Sequence, residues 1–205
     1  MTTPETETSP AAGTRDRIVR AAADLLQRQG YEATSIKAIS VISGATYGSL
    51  YHFFPGGKEE LGAAALRFGA EDFSALLRRG LAASNDPGAA FAACAQLLAD
   101  TLRDSEWTDG CPVAATALEM VGRSPLIQRA SDEALSEWRS ILAEPLLAAG
   151  WDAATAQSLA GTALATLEGA ELLARVQSDD QPLRDAAGHL RLLVEAVGAS
   201  ARQHT

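Results

Sequence analysis

The sequence predicts an all-α fold of about nine helices, and three observations carry that reading. The 205 residues are 47% hydrophobic, with 42 Ala and 26 Leu against only 13 Val and Ile together, a composition that favours helices over strands. Apolar side chains recur at the three- and four-residue spacing of amphipathic helices from Thr14 onward. Helix-capping Ser, Thr or Asp residues precede these segments, and Gly or Pro residues follow them.

Residues 1–13 (MTTPETETSPAAG) have no periodicity and are expected to be a disordered tail. Thr14 is the expected N-cap of the first helix, whose stripe is Ile18, Ala22, Leu25 and Leu26, and Gly30 ends it. Thr34 or Ser35 caps a short second helix with apolar Ile36, Ile39 and Ile42, stopped by Ser43-Gly44. Thr46 caps a third, running to about Phe54 before Pro55-Gly56-Gly57.

Longer helices follow. One spans roughly 58–83; the next has Asp86 as N-cap and Pro87 at its first position and runs to about Ser105. Cys111-Pro112 opens a short helix to Gly122, and Ser124-Pro125 opens one to about Ala149 that contains Pro145. Asp152 caps a helix to about Val176, and Pro182 starts the last, to about Ala201. The expected division is therefore a three-helix unit at 14–57 and a larger helical body at 58–205.

Charge and cysteine content narrow the function. The net charge is −9, yet residues 14–60 carry six basic and five acidic side chains, so the acidity belongs to the body. Cys94 and Cys111 form neither a disulfide framework nor a zinc motif and read as small buried apolar side chains, with a redox sensor as the minor alternative. His52, His189 and His204 lack metal-ligand spacing, and no phosphate loop or nucleophile motif is present, so neither enzyme, cofactor nor metal is expected. Without a long apolar run or a signal segment, the expected location is cytoplasmic, with no membrane contact.

Residues 35–58, SIKAISVISGATYGSLYHFFPGGK, have the spacing of a helix-turn-helix unit. In its second helix Thr46, Leu50 and Phe53 fall on the expected inner face, which turns Tyr47, Gly48, Tyr51 and His52 outward. Two phenols, a His and a Gly that permits close approach suit a helix reading base edges, with Ser49 beside them. Ser35 and Lys37 on the preceding helix, and Lys58 near the start of the next, are positioned to hold phosphates, and the capping Thr46 completes the expected DNA-contacting set. The alternative is a helical protein-interaction module without DNA binding.

Over residues 14–61 the chain resembles the DNA-binding domain of TetR-family transcriptional regulators. The resemblance rests on Thr14-Arg15, Ile18, Ala21-Ala22, Gly30-Tyr31, Thr34, Ile39, Gly44, Gly48-Ser49-Leu50-Tyr51-His52, Phe54 and Lys58-Glu59. Pro55-Gly56-Gly57-Lys58-Glu59 and Gly110-Cys111-Pro112-Val113 resemble the LmrA/YxaF-like subgroup. Ser40, Val41, Ile42, Ser43 and Tyr47 depart from the family by replacing commonly charged or polar positions. The resemblance implies a homodimeric, ligand-responsive repressor that binds a palindromic double-stranded operator and is released by a small-molecule effector, expected to be largely apolar.

In the body, Phe91, Trp107, Thr116, Glu119, Met120 and Trp138 are the expected effector lining, large or polar side chains in an Ala-rich region. The last two helices are apolar over a wide arc, and Ala163, Leu167, Leu190, Val194 and Val197 are the expected dimer interface.

Overall fold

Nine helices and no strand are present among residues 10–203, the part of the chain that the computed structural model describes. Residues 1–9, which make up most of the expected tail, and His204 lie outside the described residues. Helix α1 (Pro10–Ala33) already runs four residues before Thr14, which is therefore not its cap. Pro10 is preorganised for a first turn, and Ala11-Ala12 are strong helix formers. Gly30 breaks the helix at φ 77° and ψ −175°, and a further turn carries it to Ala33.

Helices α2 (Ile36–Ser43) and α3 (Tyr47–Phe53) are short, and their caps follow from local chemistry. The Ser35 hydroxyl accepts from the Ala38 amide at 3.1 Å, and the Thr46 hydroxyl accepts from the Ser49 amide at 3.1 Å. Between them Gly44 takes the left-handed conformation, φ 65°, in which a side chain would be strained. The three helices close around Ile18, Leu26, Ile39 and Leu50, all at most 2% exposed. In α2 the buried face runs through Ile39 and Ser43, one turn apart, which leaves Ile42 beside it 58% exposed. One expected inner position is corrected: Thr46 is exposed because its hydroxyl is committed to the cap. Phe54, after α3, fills the core instead.

The long helix α4 (Gly57–Leu81) connects this unit to the body, packing α1 on one side and α5 (Pro87–Asp104) and α7 (Pro125–Ala148) on the other. Asp86 and Ser124 cap α5 and α7 through their side-chain oxygens, each followed by a proline. Short α6 (Ala114–Met120) lies on α1, while α8 (Ala153–Gln177) packs on α7 and α9 (Gln181–Gln203). Helix α9 starts one residue before Pro182, where the Asp179 carboxylate accepts from the Gln181 amide at 2.9 Å. Trp138 of α7 is fully buried against α4, its indole N–H donating to the Ala70 carbonyl at 3.2 Å and its ring 4.3 Å from that of Phe73. No helix among the described residues is long and apolar enough to cross a membrane.

Candidate nucleic-acid interface and its junction with the body

Leu50, with no exposure, anchors α3, and half-buried Phe53 packs beside it. The opposite face presents Tyr47 at 48% and Tyr51 at 52% exposure, together with exposed Gly48 and His52. Keeping two phenol rings in solvent forgoes their burial, a cost that a merely structural face has no reason to bear. Ser49 is half-buried, and its hydroxyl is 3.0 Å from that of Thr46, so both hydroxyls serve the helix start. Ser35 likewise caps α2, and Lys37 stands exposed in the first turn of α2.

Lys58 is placed differently from the phosphate-facing position expected. Its ammonium lies 4.1 Å from the centre of the Tyr31 ring, and its loss of solvent pulls its pKa below the usual lysine value. Burial, reinforced by Glu59 and Glu32, pushes the Tyr31 phenol up to about 12. Three exposed arginines that the site reading passed over flank the unit. Arg17 donates from Nε to the Ser43 carbonyl at the helix-turn-helix turn, 3.2 Å, and Arg15 lies over the Phe54 ring. Arg20 covers Phe68 of α4. The basic spacing of α1 was visible in the sequence, but only the fold brings Arg15 and Arg17 beside α2 and α3.

The residues expected to line an effector site have other occupations. Phe91 and Trp138 have no exposed surface, and Met120 has 4%. Half-buried Trp107 sits in the α5–α6 loop at φ 65°, its amide bonded to the Leu102 carbonyl. Glu119 is a backbone cap: one carboxylate oxygen accepts from the Tyr31 and Glu32 amides at 2.6 and 2.8 Å, where the break at Gly30 has left them without helical partners. Thr116 is fully buried, with an unpartnered hydroxyl oxygen.

A second set of bonds ties α1 to the body. Gln27 donates to the Gly110 carbonyl at 2.8 Å, and Arg28 pairs with Asp109 at 2.8 Å. From α8, Arg175 donates to the carbonyls of both Arg28 and Thr108, at 2.8 and 2.7 Å. Of these residues, Gln27, Asp109 and Gly110 line a cavity of about 220 Å³ walled by Phe73, Leu76, Leu98, Leu102 and Pro112, with Glu171 of α8 also in its lining. The composition signal that singled out large side chains could not find this cavity, because its polar members come from five separate segments.

The expected dimer interface is also corrected. Ala163, Leu167, Leu190 and Val194 are at most 5% exposed within one chain and Val197 is half-buried, so they form the contact of α8 and α9 with their own protomer. The apolar outer face comprises Leu172, Leu173, Val176 and Leu192, each more than half exposed. Both cysteines are buried and held as thiols. Burial pushes Cys94 up to about 12 and Cys111 well above the ordinary thiol value. No group of side chains that could hold a metal ion is present among the described residues.

Comparison with known proteins agrees with this architecture. Residues 18–65 match the family described as bacterial regulatory proteins, tetR family, and residues 87–189 match the C-terminal domain of LmrA/YxaF-like transcriptional regulators. The HTH-type transcriptional regulator YxaF of Bacillus subtilis is 31% identical over 90% of this chain and 96% of its own. LmrA of the same organism is 33% identical over 82% of this chain and 90% of its own. Among solved structures, a TetR transcriptional regulator from Chloroflexus aurantiacus is 28% identical with a TM-score of 0.75, covering 92% of this chain and 97% of that one. A Legionella pneumophila regulator shares the fold at 23% identity and a TM-score of 0.75, over 94% and 99% of the two chains. A helix-turn-helix with an exposed aromatic face, joined through a long helix to a helical body, and homology along nearly its whole length place this chain in the TetR family of transcriptional regulators, in its LmrA/YxaF-like branch.

Proposed function

We propose that the chain acts as a homodimeric repressor that binds a palindromic operator through α2 and α3 and releases it when a small molecule occupies the body. In this reading residues 14–57 read the DNA. Tyr47, Gly48 and His52 approach base edges, while Tyr51, Lys37 and the flanking Arg15 and Arg17 meet phosphates. Residues 58–205 bind the effector and dimerise through the outer apolar face of α8 and α9, with Leu172 and Val176 at its centre.

The observation that carries the switch is the junction at Arg28. Its backbone carbonyl is held by Arg175 of α8 and its side chain by Asp109 of the α5–α6 loop, so α1 follows any movement of either. Two copies of α3 must sit about 34–36 Å apart, or a multiple of that spacing, to enter successive major grooves, which makes a small rotation of α1 and its unit sufficient to lower affinity. The effector must favour the DNA-incompetent arrangement, and by linkage the operator must weaken effector binding by the same factor.

Mobility shift with the DNA upstream of the protein's own gene tests this directly. Tyr51→Phe is expected to weaken binding by about 1 kcal/mol through a lost phosphate hydrogen bond. Arg175→Ala, remote from α3, is expected to change operator affinity because it frees α1 from α8. Unchanged affinity in both variants would remove the assignment of α3 and the junction together.

A further inference from the structure

We infer that the cavity between α1, α4, α5, the α5–α6 loop and α8 is a binding site for a small organic cation, an amine with one apolar side, whose ammonium is received by the carboxylate of Glu171. This rests on the effector reading above and gives the effector its chemistry. The volume of about 220 Å³ suits a molecule of roughly ten non-hydrogen atoms, smaller than a drug-sized ligand. Its apolar wall, with Phe73 against Trp138, offers an aromatic surface to the body of the ligand.

Glu171 is 6% exposed, and its Oε2 has no hydrogen-bond partner. A buried carboxyl oxygen left without a donor is costly, and the surrounding chain does not supply one. The charged and titratable groups around it are Asp72 and Arg79 of α4, Asp109 and Cys111 of the loop, and Glu168 and Arg175 of α8 itself. Asp109 is paired with Arg28, and Arg175 is committed to two backbone carbonyls. Exposed Asp72 and Arg79 oppose each other in sign at the rim. Glu168 lies one turn away on the same helix, with an unpartnered oxygen of its own, and adds further negative potential. Gln27 and Thr101 complete the polar lining, but the Gln27 amide and the Thr101 hydroxyl already donate to Gly110 and Leu97.

A cation therefore meets a buried acceptor oxygen that has no partner in the chain, whereas an anionic ligand meets the Glu171 and Glu168 carboxyls there, with Arg79 exposed and Arg175 already committed to two backbone carbonyls. Desolvation, with Glu168 reinforcing it, holds the Glu171 carboxyl above the usual range, so binding exchanges its proton for the ammonium and releases one proton to solvent. The cavity shares Gln27, Asp109 and Gly110 with the bonds that hold α1, so an occupant presses directly on the junction.

The test uses the full-length protein and three probes of matched shape: 2-phenylethylamine, 2-phenylethanol and 3-phenylpropanoate, followed by calorimetry and Trp fluorescence. The amine is expected to bind about tenfold or more tightly than the alcohol, with the carboxylate weakest, as a charge-assisted hydrogen bond requires. E171Q is expected to remove that preference with helical content retained, while E168Q keeps the amine ahead of the alcohol. Equal affinities for the three probes, no amine binding, or an E171Q variant with wild-type amine preference would each overturn the inference. Operator binding measured on the same preparation separates the two readings. Intact DNA binding without amine binding removes this inference alone, and amine binding without any effect on the operator removes the switch alone.

Discussion

Glu119 shows how one carboxylate can be mistaken for a ligand group. On a short helix in a region of large side chains it reads as a polar contact for an effector, yet its oxygen completes the backbone of α1 after Gly30. Glu119→Ala should therefore leave two amides without an acceptor and lower stability by about 1–3 kcal/mol in a denaturant melt, without a direct effect on amine binding. Gly30→Ala should act at the same place for two reasons, since a Cβ there would lie 2.6 Å from the Glu119 carboxylate at a φ that side chains disfavour. The Gly30 break was legible in the sequence, as was the outward set of Tyr47, Gly48, Tyr51 and His52. The partner that closes the break was not, because it lies 88 residues away along the chain.

At the scale of elements, the caps carried most of the information. Ser35, Thr46, Asp86, Ser124 and Asp152 all cap the helices they precede, because each hydroxyl or carboxylate answers amides within three residues of itself. What escaped was which face of a wholly apolar helix points where. Helix α8 is rich in small residues on every side, so its sequence does not separate the inner Ala163 and Leu167 from the outer Leu172 and Val176. Its buried acid gives a prediction at this scale. Glu171 is pushed up to about 8 by burial, from an ordinary value near 4.5, so between those limits the folded chain holds a proton that the unfolded chain has lost. This contribution to stability is fully present at the acid end and is lost as the pH rises through that window. Melting temperatures of Glu171→Gln measured from pH 5 to 8 should fall less steeply than those of the wild type. Parallel curves would mean that the carboxyl is solvated in the folded protein.

For the whole molecule, the proposed assembly and the proposed reading of a palindrome are one geometric problem, since only a two-fold pair of α3 helices matches such a site. Val176 is 75% exposed in the single chain, so Val176→Glu should leave the protomer folded while separating the dimer in sedimentation. Leu190→Glu should instead unfold the chain, because its position is 1% exposed inside the protomer. A dimer that survives Val176→Glu would move the interface elsewhere. The acidic body also shapes DNA binding. With few basic side chains near α2 and α3, the chain can neutralise few phosphates, and its affinity should depend only shallowly on salt. The most direct measurement is therefore fluorescence anisotropy of a labelled duplex from upstream of the protein's own gene, titrated at several salt concentrations with the wild type, Lys37→Ala and Tyr47→Ala. The account predicts specific binding with a shallow salt slope, a still shallower slope for Lys37→Ala, and altered sequence preference at a nearly unchanged slope for Tyr47→Ala. Specific binding that is indifferent to both substitutions would contradict it.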